Sequence, residues 1–206
     1  IMSIKQYGVI LLLIASVNLK AQTQTNNSSF LDRTEFKVGY FGNLLWDNGL
    51  NFGAEYLWKE KIKIKERKRG EKTITHQLLF NGSMGYSTNF SNKTDNGLST
   101  YLGLIYRRTN LKGRQLSLEI NPLGYYRSFL PETYEVKGGN VSKVRFPGRS
   151  YYAPSIAIGF GKFRKAKKRS GSYFNLRYTI RTPYNAGALP ILSLEYGYRF
   201  NFKTKK

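Results

Sequence analysis

The stretch LSLEYGYRFNF, residues 192–202, alternates strictly between large apolar residues and small or polar ones. Leucine, tyrosine and phenylalanine fill every even position, whereas serine, glutamate, glycine, arginine and asparagine fill the odd positions. Successive side chains of a β-strand point to opposite faces, so this period of two predicts a strand with one apolar and one polar face. A soluble sandwich also alternates in this way, and the fold class therefore depends on the whole set of such segments.

Seven further segments upstream show the same alternation. Together with the last one they cover approximately residues 35–40, 50–59, 74–90, 98–107, 116–121, 152–161, 173–181 and 192–202. Their polar faces mix glycine, serine and asparagine with isolated charges, which suits the narrow interior of a small barrel. Aromatic pairs such as Tyr125 with Tyr126 and Tyr151 with Tyr152 stand near strand ends, as in the aromatic belts of membrane barrels. The sequence predicts an all-β, antiparallel, up-and-down transmembrane β-barrel of about eight strands.

The first residues predict export. Lys5 precedes an apolar run from Val9 to Ala15 that is too short to span a bilayer as a helix, and Ala21 supplies a small residue at a cleavage position. We therefore expect a signal peptide at residues 1–21, a short periplasmic lead at 22–33 and the barrel at 34–206, located in a bacterial outer membrane. With the N-terminus in the periplasm, an even number of strands returns the C-terminus to the same side.

Charged residues occur on the polar faces, which we expect to face the lumen. Isolated ions in a low-dielectric interior are costly, so we interpret them as a network that pairs charges across the lumen and closes it. The alternative is a polar path or ligand cradle, in which excess positive charge would select anions. The predicted lumen network comprises Glu35, Lys37, Glu55, Arg107, Glu119, Arg127, Arg177, Arg181, Glu195 and Arg199.

The formal net charge of +22 is concentrated at one predicted end of the barrel, toward the periplasm. The residues that define this basic end are Lys63, Lys65, Arg67, Lys68, Arg69, Lys165, Lys167, Lys168 and Arg169. They can reach anionic lipid headgroups, or they can dock an envelope protein. Nucleic acid, the other common partner of a basic protein, is disfavoured by the signal peptide and by the apolar placement of the aromatic residues.

Candidate chemistry is sparse. His76 is the only histidine; its parity places it on the lipid-facing side, with no serine facing the same way beside it, which weakens a hydrolase interpretation. There is no cysteine and no calcium-type acidic cluster, so we expect neither a metal nor a cofactor. The segment from Phe129 to Ser150 predicts an outward hairpin, with Lys137-Gly138-Gly139-Asn140 as its turn.

Three motifs carry a family resemblance. They are Gly39-Tyr40-Phe41-Gly42-Asn43, the hairpin from Asn48-Gly49-Leu50 to Gly53-Ala54-Glu55-Tyr56, and the closing strand at 195–202. The chain resembles small outer-membrane β-barrel proteins of the Bacteroidota type, the class that includes OmpA-like, OmpX-like and PorT-like barrels. These motifs are specific to a barrel but not to an activity. Our first hypothesis is a non-enzymatic outer-membrane barrel that contributes to envelope structure or binds a surface or periplasmic partner. A PorT-like accessory of a secretion or motility apparatus is the alternative, and a lipid-modifying enzyme is a third hypothesis.

Overall fold

The computed structural model describes residues 29–43, 47–67, 70–89, 96–165, 169–184 and 187–202. The predicted signal peptide and residues 22–28 of the predicted lead lie outside these ranges. One helical turn, α1 (Phe30–Arg33), precedes the strands β1 (Thr34–Asn43), β2 (Asp47–Arg67), β3 (Gly70–Asn89), β4 (Asn96–Asn110), β5 (Arg114–Phe129), β6 (Tyr134–Lys137), β7 (Asn140–Lys143), β8 (Gly148–Tyr152), β9 (Ser155–Lys165), β10 (Ser170–Tyr184) and β11 (Gly187–Phe200).

The strands close into a ring of eight positions, each antiparallel to its neighbours. The order is β1, β2, β3, β4, β5, then β8 with β9, then β10 and β11, and β11 pairs with β1. This closing seam runs from Phe36 opposite Phe200 to Asn43 opposite Ser193. Strands β8 and β9 together fill one position in the ring, interrupted at Ala153 and Pro154. The predicted eight-stranded, up-and-down barrel is confirmed.

The wall places polar groups inside and apolar groups outside, the reverse of a soluble barrel. In β5, Gln115, Ser117 and Glu119 are buried toward the lumen, while Leu116 and Leu118 between them are exposed on the outer surface. The same alternation continues in β9 and β10. An exposed apolar exterior around a polar interior is the pattern of a transmembrane β-barrel.

The ring has two different ends. We call the end that holds Thr34 and Phe200 the terminal end, and the opposite end, which holds β6 and β7, the loop end. At the terminal end β2 and β3 extend beyond their neighbours, because β1 pairs with β2 only as far as Tyr56 and β4 pairs with β3 only as far as Ile74. The projecting part, which we call the basic hairpin, comprises residues 59–67 and 70–73.

The hairpin predicted between Phe129 and Ser150 is present at the loop end. Val136 pairs with Val141 and Lys137 with Asn140, and the turn between them holds Gly138 and Gly139 at φ of 58° and 86°. Glycine adopts this left-handed conformation at no steric cost, which is why a Gly-Gly turn forms here.

Helix α1 lies at the terminal end against β2. Its Phe30 stacks on Tyr56 with ring centroids 5.1 Å apart, and Arg33 donates to the Trp58 carbonyl at 2.9 Å. Among the described residues, no helix is long and apolar enough to cross a membrane.

Candidate functional site

Period-two geometry directs the charged side chains of several strands toward one region of the lumen. On β1 and β2, Glu35 and Glu55 stand directly opposite each other, and across the closing seam Lys37 stands opposite Arg199. Like charges opposite each other in a sheet are destabilising unless other groups compensate them. The compensation comes from these two groups themselves and from charged side chains that reach across the lumen.

Arg107 of β4 joins the two glutamates. Its guanidinium donates to Glu35 Oε2 at 2.6 Å through one nitrogen and to Glu55 Oε2 through the other. The second oxygen of Glu55 accepts a bond of 3.0 Å from Arg199 Nε. These four side chains are buried, so their charges are compensated by one another rather than by water.

The network continues through Lys37 to the other half of the lumen. Lys37 Nζ lies 3.6 Å from Glu55 Oε1 and 3.8 Å from Glu119 Oε2, distances of electrostatic contact rather than of hydrogen bonds. Arg177 then bridges Glu119 at 2.9 Å and Glu195 at 3.3 Å. Side chains from β1, β2, β4, β5, β10 and β11 thereby form one connected group.

Amide and phenol groups occupy acceptor sites that the cations leave open. Asn51 donates to Glu195 Oε1 at 2.8 Å, and the Tyr173 hydroxyl donates to the same oxygen at 2.6 Å. Asn81 and Asn121 donate to Glu119 Oε1 at 2.9 and 2.7 Å. The sequence analysis did not assign these residues to the site. Their lumen parity was the available signal, but parity does not show which polar residues meet across the barrel.

The buried lumen charges balance. The carboxylates are Glu35, Glu55, Glu119 and Glu195, and the cations are Lys37, Arg107, Arg177 and Arg199, all in the described part of the chain. This buried group therefore carries no excess positive charge. Of the two other predicted arginines, Arg127 lies outside the lumen, whereas Arg181 lines a lumen cavity beside the network without belonging to the buried group.

The prediction for Arg127 is corrected. It donates to Ser150 Oγ and to the Phe146 carbonyl, both at 2.9 Å, on the exposed side of β5 near the loop end. The cause is a register shift in β5: Leu102 pairs with Leu123 but Leu104 pairs with Ile120, so β5 carries one extra residue at Asn121–Pro122. Such a bulge reverses the inward and outward faces beyond it.

The same bulge turns the Tyr126 ring of β5 into the lumen near the loop end, where it lies beside Tyr151 of β8. Tyr126 and Tyr151 are buried there, while Tyr125 and Tyr152 face outward. Arg181, predicted to join the ion network, lies instead with its guanidinium carbon 3.4 Å from the centre of the Tyr126 ring. Its contact is thus with an aromatic face, a favourable cation–π arrangement.

The open space differs on the two sides of the network. On the terminal-end side there is a cavity of about 160 Å³, lined among others by Gln77, Thr109 and Phe163. A cavity of about 30 Å³ lies on its loop-end side, lined among others by Phe41, Tyr101 and Arg177. That volume has room for about two water molecules. Side chains therefore fill the barrel at this level.

At the terminal end the structure describes part of the predicted basic end. Lys63 is exposed on the basic hairpin, and Arg169 forms an ion pair of 3.0 Å with Glu60. Lys65 and Arg67 lie in β2 and Lys165 lies in β9. Lys68, Arg69, Lys167 and Lys168 lie outside the described residues.

His76 lies on the outer wall near the terminal end, as its parity predicted. Its Nδ1 is 2.5 Å from the Tyr106 hydroxyl, and the residues directly opposite it on the two neighbouring strands are Lys61 and Arg108. This places the imidazole in a cationic surface. Within the described ranges, no group of His, Asp and Glu side chains is arranged to hold a metal ion.

Comparisons with known proteins give few matches. No protein-family model and no curated protein matches the chain. Among solved structures, the barrel is similar to Neisserial surface protein A (NspA), with a TM-score of 0.44 and 12% identity over 82% of this chain and 94% of that one. It is also similar to the outer membrane enzyme PagL, with a TM-score of 0.44 and 12% identity over 79% of this chain and 97% of that one.

Proposed function

We propose that the chain is an integral outer-membrane β-barrel protein whose lumen is closed by the buried ion network, and that it serves the cell envelope as a structural or partner-binding element rather than as a pore or an enzyme. The observation that carries the proposal is the balanced, solvent-excluded group of four glutamates and four cations across the lumen.

Burial explains why the network closes the barrel. An ion that entered this region would have to displace side chains whose charges are already paired, and would leave at least one of them uncompensated. Breaking a buried pair by removing one partner typically costs about 3–5 kcal/mol. Arg107, bonded to both Glu35 and Glu55, is the clearest case, since its displacement would leave two facing carboxylates.

Placement in the outer membrane is supported by the apolar exterior. Outer-facing residues of β9 and β10, such as Ile156, Ile158, Phe174 and Leu176, are exposed although they are apolar. Hydrocarbon would cover them in a bilayer. Cleavage after Ala21, a Bacteroidota type and lipid as a partner belong to the same proposal and rest on the sequence features given above.

Conductance measurements test the closed lumen. The purified barrel, inserted into planar bilayers at 1 M KCl, is expected to give no steady ohmic current. A matched variant with Glu195→Gln and Arg177→Gln keeps the charge balance but removes both ion pairs of Arg177, and it should open more often than the parent. Steady conductance of the parent protein would contradict the proposal.

The loop end offers the surface for a partner outside the cell. Tyr134, Val136 and Val141 of the β6–β7 hairpin are exposed, and Phe146 is 80% exposed. Deleting residues 134–143 should abolish surface binding of a partner while leaving the barrel folded. Pull-down from envelope extracts with the parent protein and with the deletion variant measures this binding. SDS gels of unheated samples check that both barrels are folded.

The secretion or motility accessory is the second candidate, and the basic hairpin favours it. Its Ile62 and Ile64 are 61% and 64% exposed and alternate with Lys61 and Lys63. Apolar side chains among cations are complementary to a partner surface in which acidic residues surround an apolar centre. Cross-linking from Lys63 in intact envelopes should trap such a partner, and replacing both isoleucines by serine should reduce the yield. An unchanged yield would count against this candidate.

We propose that His76 is not catalytic, because its close partner is Tyr106 and the residues opposite it on both neighbouring strands are cations. A change in the mass of lipid A in cells that overproduce the protein would contradict this proposal and support the lipid-modifying hypothesis.

A further inference from the structure

A cationic cavity lies on the outer wall at the terminal end, apart from the lumen. It has a volume of about 190 Å³ and is lined by Lys72, Arg108, Asn110, Arg114, Gln115 and Leu116. The residues come from three adjacent strands, β3, β4 and β5, and from both sides of the tight turn at Leu111–Gly113. Three of the six lining residues are cations and none is acidic.

The positions of these cations are fixed by the strands rather than by ion pairs. Arg108 stands opposite His76 on one side and Leu116 on the other, and Arg114 stands opposite Lys162. The Arg114 amide donates to Asn110 Oδ1 at 2.9 Å, which holds the turn closed beneath the cavity. In the part of the chain that the structure describes, no carboxylate pairs with Lys72, Arg108 or Arg114.

Cations held side by side repel one another, and an anion between them would relieve that repulsion. Arginine is well suited to this, because its planar guanidinium can donate two parallel hydrogen bonds to a phosphate. Asn110 adds a polar side chain to the same cavity.

Apolar surface begins directly beside the cavity. Leu116 lines it, and Leu118, Ile120 and Tyr106 continue outward-facing along β5 and β4. A phosphate seated between the three cations would therefore carry any attached acyl chain onto the apolar wall. This is the arrangement that a phospholipid needs at the edge of a bilayer.

We propose that Lys72, Arg108 and Arg114 form a binding site for a phosphate group at the terminal end of the barrel. The phosphate can come from a phospholipid headgroup or from free phosphate, and the apolar wall beside the site favours the lipid. The lipid source rests on the membrane placement proposed above, whereas the phosphate site itself does not.

Binding measured by native mass spectrometry tests the site. The protein is purified in a maltoside detergent, which carries no phosphate, and titrated separately with dioleoylphosphatidylglycerol, with dioleoylglycerol and with inorganic phosphate. Replacing Lys72, Arg108 and Arg114 together by glutamine should weaken phosphatidylglycerol binding about tenfold or more, because each cation near a lipid surface contributes severalfold to affinity. Dioleoylglycerol has the same chains without the phosphate and should bind weakly to both proteins.

The matched control removes three cations of the same end that do not line the cavity. Lys61, Lys112 and Arg164 are exposed there, and replacing them by glutamine should change phosphatidylglycerol binding less than about twofold. An equal loss in both triple variants, or equal retention of dioleoylglycerol and phosphatidylglycerol, would overturn the proposal.

The two phosphate sources give different results with the parent protein. Tighter binding of phosphatidylglycerol than of inorganic phosphate identifies a lipid, whereas equal affinity, lost equally in the cavity variant, identifies free phosphate. Binding of neither overturns the site. None of these outcomes bears on the closed lumen, since conductance is measured on the parent barrel independently.

Discussion

At the scale of single residues, the barrel depends on side chains that each serve more than one partner. Glu55 accepts from Arg107 and Arg199 and lies beside Lys37. Glu35, by contrast, has one ion pair among the described residues, with Arg107. Loss of a cation should therefore affect its carboxylate partners unequally.

Replacing Arg107 by methionine should lower the free energy of unfolding by about 3–5 kcal/mol, because Glu35 would remain buried without a counter-charge. The measurement is urea unfolding in lipid vesicles, followed by tryptophan fluorescence. Adding Glu35→Gln to Arg107→Met should recover part of the loss, since the remaining charge is removed while Glu55 keeps Arg199. A double variant no more stable than the single one would contradict this account.

Glycine is required where the lumen is most crowded. A Cβ at Gly53 would lie 2.8 Å from Lys37 Cε and 2.8 Å from Ser83 Cβ, whereas a Cβ at Gly82 would meet only Leu102 Cδ2 at 3.4 Å. Overpacking of a well-packed interior typically costs about 1–3 kcal/mol. Gly53→Ala should therefore destabilise the barrel in this range, and Gly82→Ala should leave the same unfolding curve nearly unchanged.

At the scale of elements, the bulge at Asn121–Pro122 decides what β5 presents on each face. Before it, odd-numbered residues such as Glu119 face the lumen; beyond it, even-numbered residues such as Tyr126 do. Arg127 is thereby placed on the outside. There it donates a hydrogen bond to the carbonyl of Phe146, in the segment that follows the β6–β7 hairpin.

Labelling can detect this reversal, because the chain has no cysteine of its own. Arg127→Cys should react readily with a water-soluble maleimide in the folded barrel, since the position is near the loop end and outside the lumen. Tyr126→Cys should react slowly, because the neighbouring position is buried. The reverse order of rates would mean that the strand keeps a single parity throughout.

The elements also show what the sequence could and could not predict. Alternation predicted the eight strand positions and the inward carboxylates Glu35, Glu55, Glu119 and Glu195, because parity is a local property of a strand. A bulge changes parity through a single inserted residue, so Arg127 was placed on the wrong face. Cross-lumen partners such as Asn51 with Glu195 depend on register between distant strands, which no local pattern contains.

At the scale of the whole molecule, the two ends differ in charge and shape. The terminal end carries the basic hairpin and the phosphate site proposed above, and the loop end carries the β6–β7 hairpin with its apolar side chains. If the terminal end faces the periplasm, only the loop end is accessible to a protease added to intact cells.

Trypsin treatment of whole cells should therefore cleave near Lys143 and Arg145, which are exposed at the loop end, and spare Lys112 at a terminal-end turn. Fragment masses identify the cleavage sites. In lysed cells both ends become accessible, which provides the control for the susceptibility of Lys112. Cleavage at Lys112 in intact cells would mean that the orientation is opposite to the one proposed.

The ion pairs described in the lumen mostly join strands that are not neighbours in the wall: β4 to β1, β5 to β1, β10 to β5 and β11 to β2. In an open sheet at least one strand would separate the members of each pair, and Arg199 and Glu55 would lie near opposite edges. The charges can therefore meet only when the sheet curves, and Arg199 can pair with Glu55 only when the first and last strands have met. We therefore expect assembly to be all-or-none at that seam. The finished barrel should also resist opening between β1 and β11. Such an opening would break ion pairs across the lumen in addition to the hydrogen bonds of the seam.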